Sequence, residues 1–375
     1  MKIGITCYPT YGGSGVVATE LGIELATRGH EVHFISYSQP FRLTEPQANI
    51  YFHEVTVTDY PLFQYPPYDL ALASKMAGVA ENYDLDLLHV HYAIPHSVSA
   101  LLARQMLAKR RRLPFVTTLH GTDITLVGLD RSYLPITRFS IEESDAVSAI
   151  SRDLREKTLA AFEIERPIDV IYNFVNCDLY RREAAAGARA QYAREDERVL
   201  VHLSNFRPVK RVLDVVEIFD RVRQAMPAKL VLIGDGPDRS SAEYLVRRKK
   251  LAEKVYFLGK KDHVHELLGI ADLMLMPSEM ESFGLAALEG MACEVPAVAT
   301  AVGGVPELIE DGVTGFLAPV GDVGTMAACA VEILSDEARL REMGRRARAD
   351  AQARFCASHI VPQYEALYER VLSRS

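Results

Sequence analysis

The 375-residue chain lacks a long hydrophobic run, a closely spaced cysteine pair and an excess of basic residues. No apolar stretch approaches the roughly 20 residues that span a bilayer, so we expect no transmembrane helix. The five cysteines are scattered without a C-x-x-C pair, which favours a reducing cytoplasm over a disulfide framework. A formal net charge of −8 argues against a general nucleic-acid binder. We therefore expect a cytoplasmic protein without nucleic acid or membrane partners, at most peripheral to a membrane.

Short β-branched segments alternate with helix-period segments along the whole chain, which predicts parallel sheets joined by crossover helices. The first series of predicted strands is Lys2–Thr6, Glu31–Ser36, Leu87–His91, Phe115–Leu119 and Ala146–Ile150. The second series is Arg198–Ser204, Lys229–Ile233, Lys254–Leu258, Ala271–Met276 and Val295–Ala299. We expect two doubly wound α/β domains, residues 1–170 and 171–357, which face each other across a ligand cleft.

Glu281 and Glu289 flank a turn between a predicted strand and a predicted helix. The strand Ala271–Met276 precedes the turn, and a helix-forming run follows Phe283-Gly284-Leu285. Such a glycine turn presents backbone N–H groups and a positive dipole end to an anion. A carboxylate on each side can accept hydrogen bonds from the vicinal hydroxyls of a sugar or ribose. Taken alone, the segment also fits a surface loop followed by an amphipathic helix with a solvated glutamate.

A glycine-rich loop follows the first predicted strand. Gly13, Gly15 and Ala18 match the spacing of a dinucleotide-binding fingerprint. That fingerprint also requires a carboxylate at the end of the second strand, where this chain has Ser36. We therefore reject NAD binding and expect the glycines to bring a helix N-terminus close to a phosphate or a carboxylate.

Together these residues resemble glycosyltransferase family 4, whose members are retaining nucleotide-sugar enzymes with the GT-B fold of two Rossmann-like domains. The resemblance covers essentially the whole chain. The matched positions are Glu281 and Glu289 of a Glu-x7-Glu motif, Lys210, the His120-Gly121 pair, Asn173–Asn176 and the turn Gly234–Pro237. The resemblance also implies that the last predicted helix, Ile360–Leu372, packs on the first domain.

The resemblance implies a role for each matched side chain. Glu281 would hold hydroxyls of the donor sugar, Glu289 the ribose, and Lys210 the diphosphate, which gathers charge during transfer. With Lys210 and Glu281, His120 completes the predicted catalytic set by orienting the sugar. The predicted donor-binding residues are Gly13, Asn205, Arg207, Lys210, Glu281, Phe283, Gly284, Leu285 and Glu289. Asn205 stands where the family usually has an arginine, and Arg207 is the nearest arginine.

Several stretches are similar to one subgroup of the family, which makes N-acetylglucosaminyl L-malate for bacillithiol biosynthesis. They are Cys7–Gly15, Tyr60–Ala71, His89–His96 and Ser204–Arg211. The subgroup implies UDP-N-acetylglucosamine as donor and L-malate as acceptor. The two carboxylates of malate require cations and hydrogen-bond donors once desolvated. The acceptor-binding candidates are Ser14, Tyr92, Thr118 and Arg152, and the oligomeric state stays open, a homodimer included.

We expect transfer without a metal or another cofactor. No Asp-x-Asp motif lies in a loop where a metal would bridge the diphosphate. His89 and His91 are expected on opposite faces of their strand, so that they would not chelate one metal together. His263 and His265 are expected in solvent, and no metal site is assigned. The resemblance further implies same-face transfer, in which the leaving phosphate takes the proton of the acceptor.

Other functions stay open. The basic run Lys109–Arg112 could dock on anionic lipid and indicate a lipid acceptor, although the helix dipole also favours cations at a helix C-terminus. A sugar acceptor is a further alternative. A UDP-sugar epimerase of similar architecture would need no acceptor. A non-catalytic nucleotide-sugar sensor could keep both glutamates and the lysine without any turnover.

Overall fold

The computed structural model describes residues 1–10, 12–43, 46–58, 61–125, 127–182 and 187–374. Tyr11 and Tyr60, which belong to two of the stretches that carry the resemblance, lie outside these residues. The chain divides into two compact units. Unit 1 comprises Met1–Tyr172 and Ile360–Ser375, and unit 2 comprises Asn173–His359.

Unit 1 is a parallel sheet with its crossover helices. The strands are β1 (Lys2–Thr6), β2 (Glu31–Ser36), β3 (Ile50–Glu54), β4 (Leu87–His91), β5 (Phe115–Leu119), β6 (Ala146–Ala149) and β7 (Ile168–Val170). The helices are α1 (Gly13–Thr27), α2 (Tyr68–Tyr83), α3 (Val98–Leu107), α4 (Thr122–Thr125), α5 (Leu134–Glu143) and α6 (Arg152–Phe162). Across the described ranges, the strand order is β3-β2-β1-β4-β5-β6-β7. Every residue of β4 and β5 is buried, as expected for central parallel strands that are covered on both faces.

Unit 2 repeats this arrangement. The strands are β8 (Arg198–Leu203), β9 (Ala228–Ile233), β10 (Val255–Gly259), β11 (Leu273–Met276), β12 (Ala297–Thr300) and β13 (Gly315–Ala318). The helices are α7 (Val212–Ala225), α8 (Arg239–Arg248), α9 (Val264–Gly269), α10 (Leu285–Ala292), α11 (Val305–Leu308), α12 (Val323–Ser335) and α13 (Glu337–Phe355). The strand order is β10-β9-β8-β11-β12-β13. The core includes Val216 and Phe219 of α7 together with Leu230 of β9, all fully buried.

In both sheets the strand order reverses beside the first strand of the unit. β1 lies between β2 and β4, and β8 lies between β9 and β11. At such a switch point the loops after the two neighbouring strands lead to opposite faces of the sheet and leave a crevice at the carboxyl ends. The loops after β1 and β4 in unit 1, and after β8 and β11 in unit 2, therefore begin where doubly wound sheets bind ligands.

The last helix, α14 (Ala357–Leu372), contributes side chains to unit 1. The Tyr368 hydroxyl lies 2.7 Å from His89 Nδ1, and Glu365 lies 2.8 Å from His30 Nε2. Both Tyr364 and Tyr368 are fully buried. These contacts anchor the C-terminal segment against β4 and against the residue that precedes β2.

A disulfide joins Cys177 and Cys356, which corrects the expectation that the cysteines form no disulfide. The backbone N–H of Val175 donates to Phe355 O, and that of Ala357 donates to Val175 O, both at 3.0 Å. This pairing of two extended segments brings the cysteines side by side. Because they lie 179 residues apart in sequence, no local spacing signals the pair.

Candidate active site

Lys210 and Glu281 form an ion pair between the loops that follow β8 and β11. Lys210 ends the 3₁₀ turn Pro208–Lys210, and the backbone N–H of Glu279 donates to Val209 O at 2.8 Å. The two loops of the unit 2 switch point are thus joined by their backbones and by a charge pair. The side chains of the pair are 21% and 16% exposed, so water and ligands can reach both charges. The structure therefore brings two of the three predicted catalytic residues together.

Gly284 is the N-cap of α10, and Leu285 is the first residue of the helix. Gly284 has a φ of 102°, in the left-handed region, which glycine adopts readily and residues with a Cβ disfavour. The first-turn N–H groups of α10 have no partner within the helix, so they remain available to an anion. Phe283 is 1% exposed and packs edge-on against Phe355, with ring centroids 5.6 Å apart. Its side chain is part of the core, so Phe283 can meet a ligand through its backbone.

Glu289 lies within α10, is 4% exposed, and accepts a hydrogen bond from the Tyr180 hydroxyl at 2.8 Å. A buried carboxylate is costly unless it is hydrogen-bonded, so this contact helps to hold Glu289 in place. Tyr180 is itself 3% exposed. Sequence reasoning missed Tyr180, which lies in a polar segment between the two strand series and carries no local signal.

Asn205 and Arg207 lie in the same loop as Lys210. The Oδ1 atom of Asn205 is buried and has no hydrogen-bond partner among the described residues. An unsatisfied buried amide oxygen costs about 1–3 kcal/mol, and a ligand can remove that cost. Rotation of the amide by 180° would turn an N–H donor in the same direction, which suits an anion. Arg207 is exposed, and its carbonyl accepts the backbone N–H of Lys210 at 2.8 Å.

In unit 1, the hydroxyl of Tyr92 donates to Ser14 Oγ at 2.8 Å. Ser14 is in the first turn of α1, one residue after the exposed Gly13, and Tyr92 directly follows β4. Tyr92 has a φ of 89°, a strained value for a non-glycine residue that persists only where the surroundings impose it. A Cβ on Gly15 would lie 2.5 Å from Tyr8 O, so only glycine lets α1 begin this close to the preceding loop.

His120, the third predicted catalytic residue, directly follows β5 and is 7% exposed. Burial lowers its pKa to about 3, so its imidazole is neutral at physiological pH. Its Nε2 atom lies 2.8 Å from Nδ1 of His91, the last residue of β4. The buried Asp123 carboxylate accepts the backbone N–H groups of Gly121 and Ala93, both at 2.9 Å, which ties together the loops after β4 and β5. Burial raises the pKa of Asp123 to about 6.

His89 and His91 lie on the same face of β4, so the expectation of opposite faces was wrong. Side chains two positions apart on a strand share a face, and these ring centroids lie 4.4 Å apart. The nitrogens of His89 contact Tyr368 and Thr118, both at 2.7 Å. In the part of the chain that the structure describes, no group of three or more His, Cys, Asp or Glu side chains could hold a metal ion.

Thr118 and Arg152, two of the acceptor-binding candidates, occupy different environments. The Thr118 hydroxyl is fully buried and lies 2.7 Å from both His89 Nε2 and Ser148 Oγ. Its hydroxyl is therefore engaged inside unit 1, while its carbonyl accepts the backbone N–H of Tyr92 at 2.9 Å. Arg152 is an exposed residue at the N-terminus of α6. Among the acceptor-binding candidates, the structure joins Ser14 and Tyr92 through their side chains.

The three arginines of the basic run Lys109–Arg112 form ion pairs within unit 1. Arg110 forms an ion pair with Glu81, and Arg112 forms one with Asp145 at 2.8 Å. Because these guanidinium groups already have acidic partners, the run offers weak support for lipid binding. Within the described ranges, no helix is both long enough and apolar enough to cross a membrane.

The chain matches two models of glycosyltransferase families, namely Glycosyltransferase Family 4 over residues 11–179 and Glycosyl transferases group 1 over residues 187–350. It is 52% identical over 373 residues to the N-acetyl-alpha-D-glucosaminyl L-malate synthase of Bacillus anthracis. This match covers 99% of this chain and 97% of that protein. A sucrose-phosphate synthase from Thermosynechococcus elongatus matches with a TM-score of 0.82 and 24% identity over 100% of both chains.

Anabaena HepE, solved in complex with UDP and glucose, also matches with a TM-score of 0.82, at 22% identity. That match covers 98% of this chain and 99% of HepE. At these identities the two solved structures show the fold alone. Together with the strand orders of both sheets, they confirm the prediction of two Rossmann-like units of the GT-B type.

Proposed function

Because the chain belongs to glycosyltransferase family 4, we propose that it transfers N-acetylglucosamine from UDP-N-acetylglucosamine to the hydroxyl group of L-malate. This is the first step of bacillithiol biosynthesis. The assignment of L-malate as acceptor rests on one observation, the likeness over nearly the full length of both chains to a protein named N-acetyl-alpha-D-glucosaminyl L-malate synthase. The subgroup stretches around Tyr92 and Lys210 support the same acceptor.

The loops of unit 2 supply the groups that the donor needs. Lys210 is a partly exposed cation that can pair with the diphosphate. The N–H groups after Gly284 lie at the positive, N-terminal end of the α10 dipole, which favours an anion. Glu281 can exchange its lysine partner for sugar hydroxyls, and Glu289, held by Tyr180, can accept from the ribose. Asn205 and Arg207 complete the diphosphate contacts in this proposal.

The loops of unit 1 supply the groups that L-malate needs. The first turn of α1 offers to a carboxylate N–H groups that have no acceptor within the helix, and Ser14 and Tyr92 offer hydroxyls beside it. Arg152 is the candidate cation for the second carboxylate. Desolvated carboxylates require such donors, so this set accounts for a dicarboxylate acceptor better than for a neutral sugar.

The proposed transfer is retaining and independent of metal. His120, with a pKa of about 3, is too weak a base to accept the acceptor proton near pH 7. As the family resemblance implies, we infer that the leaving phosphate takes this proton on the same face of the sugar as the attacking hydroxyl, because negative charge gathers on it as the glycosidic bond breaks. Lys210 and the N–H groups of α10 stabilise the charge on the diphosphate. Full activity in EDTA is expected, and a requirement for a divalent cation would contradict this part of the proposal.

Release of UDP from UDP-N-acetylglucosamine, measured across a panel of hydroxy acids and sugars, tests the proposal. We expect release to depend on L-malate and the NMR coupling of the product to report an α-anomer. A modified UDP-sugar formed without any acceptor would favour an epimerase. Tight UDP binding without turnover toward any acceptor would favour a sensor.

Localisation and assembly complete the proposal. Both proposed substrates are small water-soluble metabolites, so we propose that the reaction takes place in the cytoplasm. We also propose a homodimer, for which light scattering should report twice the 41.7 kDa of one chain. A monomer mass at micromolar concentration would remove the dimer and leave the proposed reaction intact.

A further inference from the structure

Unit 1 contains a buried histidine contact that the proposed mechanism does not yet use. His91 is fully buried at the end of β4, and its Nδ1 atom lies 2.8 Å from Nε2 of His120. β4 and β5 are neighbours with His91 paired to Thr118, so strand register places the two rings together. The contact joins the predicted catalytic residue His120 to His91, which the sequence analysis considered as a metal ligand and as part of the stretch His89–His96.

Both histidines are neutral, so one of them must donate and the other must accept. Burial lowers the pKa of His120 to about 3 and that of His91 well below its ordinary value. A neutral imidazole carries a single N–H. If His91 donates from Nδ1, His120 must carry its own proton on Nδ1. If His120 donates from Nε2, His91 must carry its proton on Nε2.

The surroundings of His91 favour the first arrangement. Its Nε2 atom is buried and has no hydrogen-bond partner among the residues that the structure describes. The second arrangement would leave an N–H group buried without an acceptor, which native structures rarely tolerate, whereas the first leaves only a lone pair.

His96, in the same cluster, shows that such a lone pair is tolerated. Its Nδ1 atom lies 2.5 Å from the carbonyl oxygen of His91, and a carbonyl can only accept, so His96 carries its proton on Nδ1. Burial lowers the pKa of His96 to about 4, so its Nε2 atom is unprotonated near pH 7. That atom is likewise buried without a partner in the described ranges. The cluster therefore already contains one unpaired imidazole lone pair.

We propose that His91 is a positioning residue that holds His120 in the Nδ1–H tautomer. His120 then presents a hydrogen-bond donor, and not a base, to an oxygen of the bound substrates. Asp123 adds to this by fixing the backbone on either side of the contact, at Ala93 and Gly121. The inference rests on the proposed function for the identity of the substrates, but the tautomer itself can be measured without them.

NMR of the protein labelled with ¹⁵N-histidine tests the tautomer, since protonated and unprotonated ring nitrogens have distinct shifts. The His120→Asn variant assigns the signals. We expect a protonated Nδ1 and an unprotonated Nε2 for His120 in the wild type. His91→Leu should move the proton of His120 toward Nε2 and lower kcat about 100-fold, with the KM for the donor nearly unchanged. His91→Asn, whose amide can place an N–H where Nδ1 was, should restore the tautomer and most of kcat.

His33→Leu is the matched control. His33 is a fully buried histidine of β2 that contacts Glu31 and His53. Its replacement should leave the His120 tautomer and kcat unchanged. An Nε2–H tautomer in the wild type, or wild-type kcat in His91→Leu, would overturn the proposal. If the wild type shows the Nδ1–H tautomer but transfers nothing to L-malate, the proposed function fails and the assignment to His91 stands.

Discussion

The two units share one sheet topology but organise the loops at their switch points with different chemistry. In unit 2 the loops are joined by a partly exposed ion pair, Lys210 with Glu281. In unit 1 the loops after β1 and β4 are joined by the hydrogen bond from Tyr92 to Ser14, and the neutral pair His91 and His120 lies buried at the ends of β4 and β5. Ions that keep contact with water can exchange partners for a charged ligand, whereas a buried neutral network holds fixed positions. The same fold therefore supports charged side chains that can exchange their partners in unit 2 and a buried network that holds side chains in fixed positions in unit 1.

The largest expected difference between the units is their response to acid. Burial lowers the pKa of His89, His96 and His120 to about 3, 4 and 3, below their ordinary 6.5. At pH values between these lowered pKa values and 6.5, the histidines bind more protons in the unfolded chain than in the folded one. Unit 1 therefore loses stability as the pH falls below about 6.5. From pH 7 to pH 5 the loss is about 2 kcal/mol for each of these histidines. Asp123 offsets about 1 kcal/mol of this loss. Its pKa is raised to about 6 in the folded state, so as the pH falls the folded state binds this proton before the unfolded state does.

Hydrogen exchange at pH 7 and pH 5, corrected for intrinsic rates, measures this difference. Protection of β4 and β5 should fall more than protection of β8 and β11. Unit 2 provides an internal reference in His202, whose pKa burial lowers to about 4. An equal fall in both units would show that the histidine cluster does not set the acid stability of unit 1.

Lys210→Ala should break the charged site of unit 2 without unfolding it. Loss of the cation that we propose to pair with the leaving diphosphate should lower kcat about 1,000-fold, or about 4 kcal/mol. The stability of unit 2 should change by less than about 1 kcal/mol, because the ion pair is partly exposed. Initial rates of UDP release and urea unfolding measure the two effects.

Lys249→Ala is the control for Lys210→Ala. The Lys249 side chain is also 21% exposed and pairs with Glu217 and Asp220 in the same unit. Its loss should leave kcat unchanged. A comparable fall in kcat would mean that the net charge of unit 2, and not the position of Lys210, controls the rate.

Tyr180→Phe should weaken the support of Glu289. The buried carboxylate loses a hydrogen bond, which should lower the free energy of unfolding by about 1–3 kcal/mol. The KM for the donor should rise about tenfold, since a tenfold change in affinity corresponds to about 1.4 kcal/mol. Tyr192→Phe, in which the altered ring contacts Tyr256, should change neither quantity. A normal KM in Tyr180→Phe would separate Glu289 from donor binding.

Tyr92→Phe should have the smallest effect of the four. Loss of the hydroxyl that donates to Ser14 should cost about 1 kcal/mol and raise the KM for L-malate about fivefold. Ser14→Ala should have a similar effect, and the double variant should cost less than the sum if the two hydroxyls act as a unit. Strictly additive effects would show that the hydroxyls bind the acceptor independently.

Much of the fold could be predicted from local pattern. β1, β2, β4 and β5 have the predicted bounds, because their apolar runs lie between turns and helix-period segments. β3, β7 and β13 are not among the predicted strands. β3 is a half-exposed edge strand, and β7 and β13 have only three and four residues, so their apolar runs are too short to indicate a strand.

The candidate site could be predicted where its residues belong to short motifs. The turn at Gly284 and the loop that carries Lys210 each follow a predicted strand, so the sequence places each of them at the carboxyl end of a strand. That Lys210 pairs with Glu281, 71 residues away, depends on β8 and β11 being neighbours. Tyr180 lies 109 residues from Glu289, and His91 lies 29 residues from His120. Which side chains meet over such separations depends on strand order and register, which single-sequence patterns do not specify.

The sequence by itself determined the alternation of strands and helices, the glycine turn before α10 and the family of the enzyme. These depend on local conformational preference and on fixed spacing, which are properties of the chain alone. Only the tertiary structure decided that His91 meets His120, that Tyr180 holds Glu289, and that Cys177 meets Cys356. Those contacts arise because packing brings distant segments together and buries their polar atoms, which must then find partners or remain unpaired at a cost.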